Sequence, residues 1–203
     1  MRILKYNNID LNEISFSEPK LSASGSRNMF VNYKPGASSR YDERIVIQTP
    51  TVRLPFGVSE YKGKYSIDMS VRDSGFLNFM KSLDEFIINY VVAHSTDLFG
   101  KPMNDEEVSS MYRSSLKQSK NQFPDLFKAK LFIKDDTFEG DIYDANKKLI
   151  EYTELEKGVR IQTIMELVGI YIIDKEFGTT WKVSQIKVIP NRDLKGYSFV
   201  DED

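Results

Sequence analysis

Two alternating runs around a turn-rich centre, IVIQTPTVRLPFGVSEYKGKYSIDMSV at residues 45–71, constrain the chain most tightly. Side chains of a strand point alternately to opposite faces, so a period of two with one apolar face specifies a half-buried strand. Ile45, Ile47 and Thr49 fall on one side of the first run, with Val46 and Gln48 on the other. In the second run Tyr65, Ile67, Met69 and Val71 share a face, opposed by Lys64, Ser66, Asp68 and Ser70. Pro50 and Pro55 remove backbone donors between the runs, which requires an edge, a bulge or a sharp bend there. Leu54, Phe56 and Val58 are expected to be structural.

With 203 residues and 40% hydrophobic content, the chain has enough apolar surface for one elaborated domain. The absence of cysteine excludes disulfides, thiolate metal sites and a cysteine nucleophile, and a single histidine excludes any site needing two imidazoles. No run reaches the roughly 18–20 apolar residues of a membrane span, and MRILKYNNID lacks the apolar stretch of a secretory signal, so a soluble, non-secreted protein is expected. The net charge of −2 hides an asymmetry, because Asp201, Glu202 and Asp203 close the chain.

Residues 1–27 read as a polar N-terminal arm with little core. A short strand is expected at residues 29–33, followed by a long loop of turn formers at 34–44 that carries Lys34, Arg40 and Arg44. Asp73 or Ser74 can cap the longest helix, in which Phe76, Phe79, Met80, Leu83, Phe86, Ile87, Tyr90 and Val91 recur at three- and four-residue spacing. That stripe reads as a core face, and His94 as a partner for the dipole at the helix end.

A second helix is expected from Asn104, with acids in its first turn. Arg113, Lys117, Lys120, Lys128, Lys130 and Lys134 then follow against the single acid Asp125, interleaved with Tyr112, Phe123, Phe127 and Phe132. Cations alternating with aromatics are what single-stranded nucleic-acid grooves use, and equally what a solvated lysine face over core phenylalanines would show. Asp135, Asp136, Asp141 and Asp144 invite a metal-hydrolase reading, but they fall at turn positions that favour aspartate for its backbone hydrogen bonds. Residues 159–173 and 179–190 form a closing hairpin, with Trp181, Val183 and Gln185 expected on one face. Tyr197 and Phe199 precede the terminal acids in a tail from residue 191.

This order of elements is compatible with a mainly β (α+β), OB-fold-like five-stranded barrel, with the long helix between strands 3 and 4 and an insertion of helices and strands at about 100–158. The barrel domain is expected over 28–190, between the 1–27 arm and the 191–203 tail. IQTPTVRLPFGV at 47–58, KYSIDMSV at 64–71 and FGTTWKVSQIKV at 177–188 resemble the single-stranded DNA-binding proteins of nucleo-cytoplasmic large DNA viruses. Those are distantly similar to phage-type single-stranded DNA-binding proteins with an acidic aromatic tail, and the likeness runs from about residue 28 to 190.

The resemblance implies an intracellular replication or recombination protein, without enzymatic activity or cofactor, acting in the host cytoplasm (viral factory) or nucleus. Its implied partner is single-stranded DNA, bound without sequence preference. Phosphates would meet Arg40, Arg44, Arg53, Lys62, Lys64 and Lys182 together with the 113–134 basic residues, and bases would stack on one or more of Tyr41, Tyr61, Phe132 and Trp181. The tail residues Tyr197, Phe199, Asp201, Glu202 and Asp203 would dock a replicative polymerase or helicase, or compete for the groove. Homo-oligomerisation is left open. The competing readings are a virion structural or interaction protein and, more weakly, a metal-dependent enzyme at the aspartates.

Overall fold

The computed structural model describes residues 2–22, 25–36, 43–119 and 122–190. Five strands close a ring. They are β1, in two segments Val46–Gln48 and Val52–Arg53; β2, Lys64–Val71; β3, Asp125–Leu131; β4, Arg160–Ile173; and β5, Glu176–Ile189. β1 pairs antiparallel with β2, β2 with β3, β4 with β5 and β4 with β1. The ring is completed where β3 and β5 run parallel, with Lys130 opposite Lys182. The order 1-2-3-5-4-1 is a closed five-stranded barrel consistent with an OB-fold.

Alternation sets what faces inward. Ile67, Met69 and Val71 of β2, Phe127, Ala129 and Leu131 of β3, and Trp181 and Val183 of β5 are all buried. The pattern in β5 then departs from the expected alternation. A register shift near Ile164 and Met165 of β4 turns Ile186, rather than Gln185, into the core. A β-bulge does this because one extra residue moves all later side chains to the opposite face.

Helix α1, Ser74–Ala93, follows β2 directly. Asp73 caps it, accepting the Phe76 backbone N–H at 2.7 Å, and Phe76, Met80, Leu83, Ile87 and Val91 form its buried stripe. Phe76 meets Phe127 edge-to-face at 5.8 Å, and Phe127 meets Trp181 at 5.7 Å, so a column of rings ties the helix to the barrel interior. At the other end, His94 stacks on Tyr90 with ring centroids 4.1 Å apart. A short helix, Asp105–Met111, begins as expected at Asn104 with a capping box to Glu107. Among the described residues, no helix is long and apolar enough to cross a membrane.

Four details differ from the sequence expectation. The expected insertion contains a barrel strand: Asp125–Leu131 fills the third place in the ring, so α1 lies between the second and third barrel strands. The strand Arg27–Tyr33 instead extends the wall by pairing with the far end of β4. Residues 1–27 contribute more core than expected, because Leu4 and Ile14 are buried and Ile14–Phe16 pairs with Arg27–Tyr33. Phe56, expected to be structural, is exposed, whereas Leu54 is fully buried. The bend forced by Pro50 does separate the two segments of β1.

Gly169 marks a close approach of β4 to the added strand, and a Cβ there would collide with the Met29 carbonyl oxygen. Gly169→Ala is therefore expected to cost about 1–3 kcal/mol, the usual range for overpacking. Thermal melting should show a fall of about 2–4 °C for each kcal/mol.

Candidate nucleic-acid interface

Two tight hairpins frame one groove. In the first, Val58–Tyr61 returns into β2 through Lys62 and Gly63, whose φ angles are 53° and 73°. In the second, Ile133–Lys134 pairs with Thr137–Phe138 through Asp135 and Asp136, with φ angles of 50° and 57°. Positive φ at both central residues is the requirement of a type I′ turn, and aspartate is among the side chains that tolerate it. This is the structural role of the Asp135-Asp136 pair.

Between these tips lies a groove of about 610 Å³, floored by the outward faces of β2 and β3. Its lining includes Tyr61, Lys64, Lys128, Lys130, Phe132 and Lys134, six residues singled out from the sequence. Strand register explains the convergence: Ser66 lies opposite Lys130 and Asp68 opposite Lys128, so the polar series of each strand shares the outer face. Tyr61 is 71% exposed and Phe132 37%, leaving aromatic surface accessible.

The cations lie beside rings. The Lys182 ammonium sits 4.5 Å from the Phe132 centroid, and that of Lys62 sits 5.2 Å from Tyr61. Lys130 approaches the Tyr171 ring at 5.6 Å and donates to Thr180 Oγ1 at 3.2 Å. Desolvation by the surrounding wall holds the Lys130 pKa below the ordinary lysine value, and the neighbouring Lys64 charge lowers it further. Among the lining residues the acid is Glu139, which pairs with Lys182 at 3.1 Å, and Asp68 stands opposite Lys128 on the same outer face.

Other sequence candidates lie elsewhere. Trp181 is corrected outright, since at 1% exposure it is a core residue with no face to offer a base. Arg113 is held by Glu176 at 2.6 Å and also donates to the Ser110 carbonyl. Arg44 pairs with Glu166 at 2.9 Å, and Arg53 donates to the Gly158 carbonyl at 3.1 Å. Lys117 is exposed in a short strand bordering the opposite end of β3, next to Leu126. None of these four lines the groove. Arg40, Tyr41, Lys120 and the tail residues Tyr197, Phe199, Asp201, Glu202 and Asp203 lie outside the described residues. Sequence reasoning missed Tyr65, Ser66 and Glu139 as groove residues and Tyr171 as the ring beneath Lys130. Proximity of Tyr65 and Ser66 to Lys64 was the available signal; nothing local marks Tyr171.

The model of a family of unknown function, DUF5871, matches residues 58–201, and the chain belongs to that family. No curated protein matches the sequence. Among solved structures, the single-stranded DNA-binding protein from bacteriophage Enc34 is 12% identical with a TM-score of 0.46, covering 93% of this chain and 96% of that one. The structure of gp2.5, a single-stranded DNA-binding protein encoded by bacteriophage T7, is 12% identical with a TM-score of 0.48, covering 77% and 98%. The Enc34 protein in complex with single-stranded DNA is 13% identical with a TM-score of 0.47, covering 88% and 97%.

The electrostatics of the groove yield a direct check. A titration of the lysine side chains by NMR is expected to place the Lys130 midpoint below that of ordinary lysines. Lys64→Gln should raise it only part of the way, because the substitution removes the repulsion and leaves the desolvation.

Proposed function

We propose that this DUF5871 member is a single-stranded DNA-binding protein that grips the strand in the groove over β2 and β3, neutralising phosphates with lysines and stacking bases on Tyr61 and Phe132. One observation carries the reading: barrel closure and two hairpin tips bring Lys64, Lys128, Lys130 and Lys134 into one groove with exposed rings. The face of strands 2 and 3 is the oligonucleotide-binding face of OB barrels in general. Cationic grooves combined with aromatic platforms bind single strands without sequence preference, because phosphates and base faces are common to all of them.

The replication and recombination setting, the large-DNA-virus origin and an intracellular site of action, in viral factories or the nucleus, are proposed from the sequence resemblance. The division into a 1–27 arm, a 28–190 binding domain and a 191–203 tail is proposed from composition together with the extent of that resemblance. The tail is proposed to dock a replicative polymerase or helicase, or to compete for the lysines. In this reading the protein acts by binding, without catalysis or cofactor.

Labelled oligo-dT titrated at two salt concentrations tests the proposal. Affinity should fall steeply with salt, and neutralising Lys64, Lys128 or Lys130 should each reduce the log–log slope by about 0.7. Tyr61→Ala and Phe132→Ala should each cost about 1–3 kcal/mol of binding. Arg113→Ala should leave binding of an oligo-dT short enough to fill the groove alone near the unsubstituted value, since its guanidinium is committed to Glu176 outside the groove. Absent or salt-insensitive binding would overturn the proposal in favour of a structural or interaction protein.

A further inference from the structure

The strand Arg27–Tyr33 lies outside the closed ring yet prolongs its wall. It pairs with the far end of β4, setting Asn28 opposite Tyr171 and Phe30 opposite Gly169. Met29, Val31 and Tyr33 are buried, so Asn28, Phe30 and Asn32 point outward. Phe30 is 47% exposed in the middle of this strand. Isolated exposed apolar residues are ordinary and need no special explanation. The surroundings of Phe30 are not those of an isolated residue.

Tyr171 shares the outer face with Asn28 and is the ring under the Lys130 ammonium. Gly169 adds no side chain opposite Phe30, so the diagonal from Tyr171 to Phe30 carries no intervening side chain from β4. Beyond Phe30, the short strand Lys20–Leu21 sets Lys20 opposite Asn28 and brings its ammonium to 5.9 Å from the Phe30 centroid. Outward from the groove the wall therefore presents Lys130, Tyr171, Phe30 and Lys20, with two rings between two cations.

Resting on the binding reading above, we propose that the strand held in the groove continues past Tyr171 onto this added wall, where a base stacks on Phe30 and a phosphate meets Lys20. The occupant follows from chemistry and continuity: Lys130 belongs to the groove and to this path at once. A polyanion with stackable faces suits alternating cations and rings. From β3 across β5 and β4 to the added strand is three inter-strand spacings, about 14 Å. A longer single strand can occupy such a track, and a very short one confined to the groove cannot.

Binding of oligo-dT of about five and about fifteen nucleotides, within the range of site sizes for one OB-fold, tests the idea on the full chain. Phe30→Ala and Lys20→Gln should leave the short oligonucleotide unaffected and weaken the long one, by about tenfold for Phe30→Ala. Phe30→Tyr, which keeps the ring, should retain the preference for length. Thermal melting of each variant verifies that the fold is intact. Unchanged binding of both lengths by Phe30→Ala would overturn the extension alone, as would equal weakening of both. Failure of the unsubstituted chain to bind either length would remove the groove reading and the extension with it. A change in sedimentation with Phe30→Ala, at unaltered length preference, would assign the ring to contact between copies and also overturn the extension.

Discussion

Closure of the barrel between β3 and β5 sets Lys130 directly beside Lys182, and the organisation of the outer face follows from that pairing. Like charges on neighbouring strands repel. Each ammonium is accommodated separately: Lys182 by Glu139 and the Phe132 ring, Lys130 by the Thr180 hydroxyl and the Tyr171 ring. Surface ion pairs of this kind contribute little to stability, with a median of about 0–1 kcal/mol. The wall thus concentrates positive charge where neutralisation within the protein is incomplete, and a polyanion is the natural complement.

The same strands hold the fold together on their other side. Phe127 and Trp181 point inward from β3 and β5 and meet edge-to-face, as do Phe76 of α1 with Phe127 and Tyr6 with Phe76. Such pairs add about 0.5–1.5 kcal/mol each beyond their area burial. A period of two therefore divides the labour within single strands. Phe127 anchors and Lys128 faces outward; Trp181 anchors and Lys182 faces outward.

Much of this was legible from periodicity. The alternation of Lys64–Val71, the stripe of α1 and the existence of the closing hairpin each depend on local spacing, and the structure has all three, although the return strand begins at Glu176, three residues before the expected 179. The third barrel strand was hidden inside an apparent insertion because its place in the ring depends on partners distant in sequence, β2 and β5. The basic candidates divided for the same reason. Lys64, Lys128, Lys130 and Lys134 gather through strand register, whereas Arg113 and Arg44 are taken up by Glu176 and Glu166 from far along the chain. A charge count sees the arginines and not the carboxylates that meet them. Trp181 was ambiguous because one tryptophan in a hairpin has no local signature of side; the register with β4 decides it.

The outer face of β2 and β3 is the surface proposed to meet single-stranded DNA, and amide chemical-shift mapping reads that surface residue by residue. On adding a short oligo-dT, the largest perturbations are predicted along Lys64–Asp68, Lys128–Lys134 and the Tyr61–Lys62 tip. Perturbations centred instead on Arg113 and Lys117, or none at saturating oligonucleotide, would contradict it.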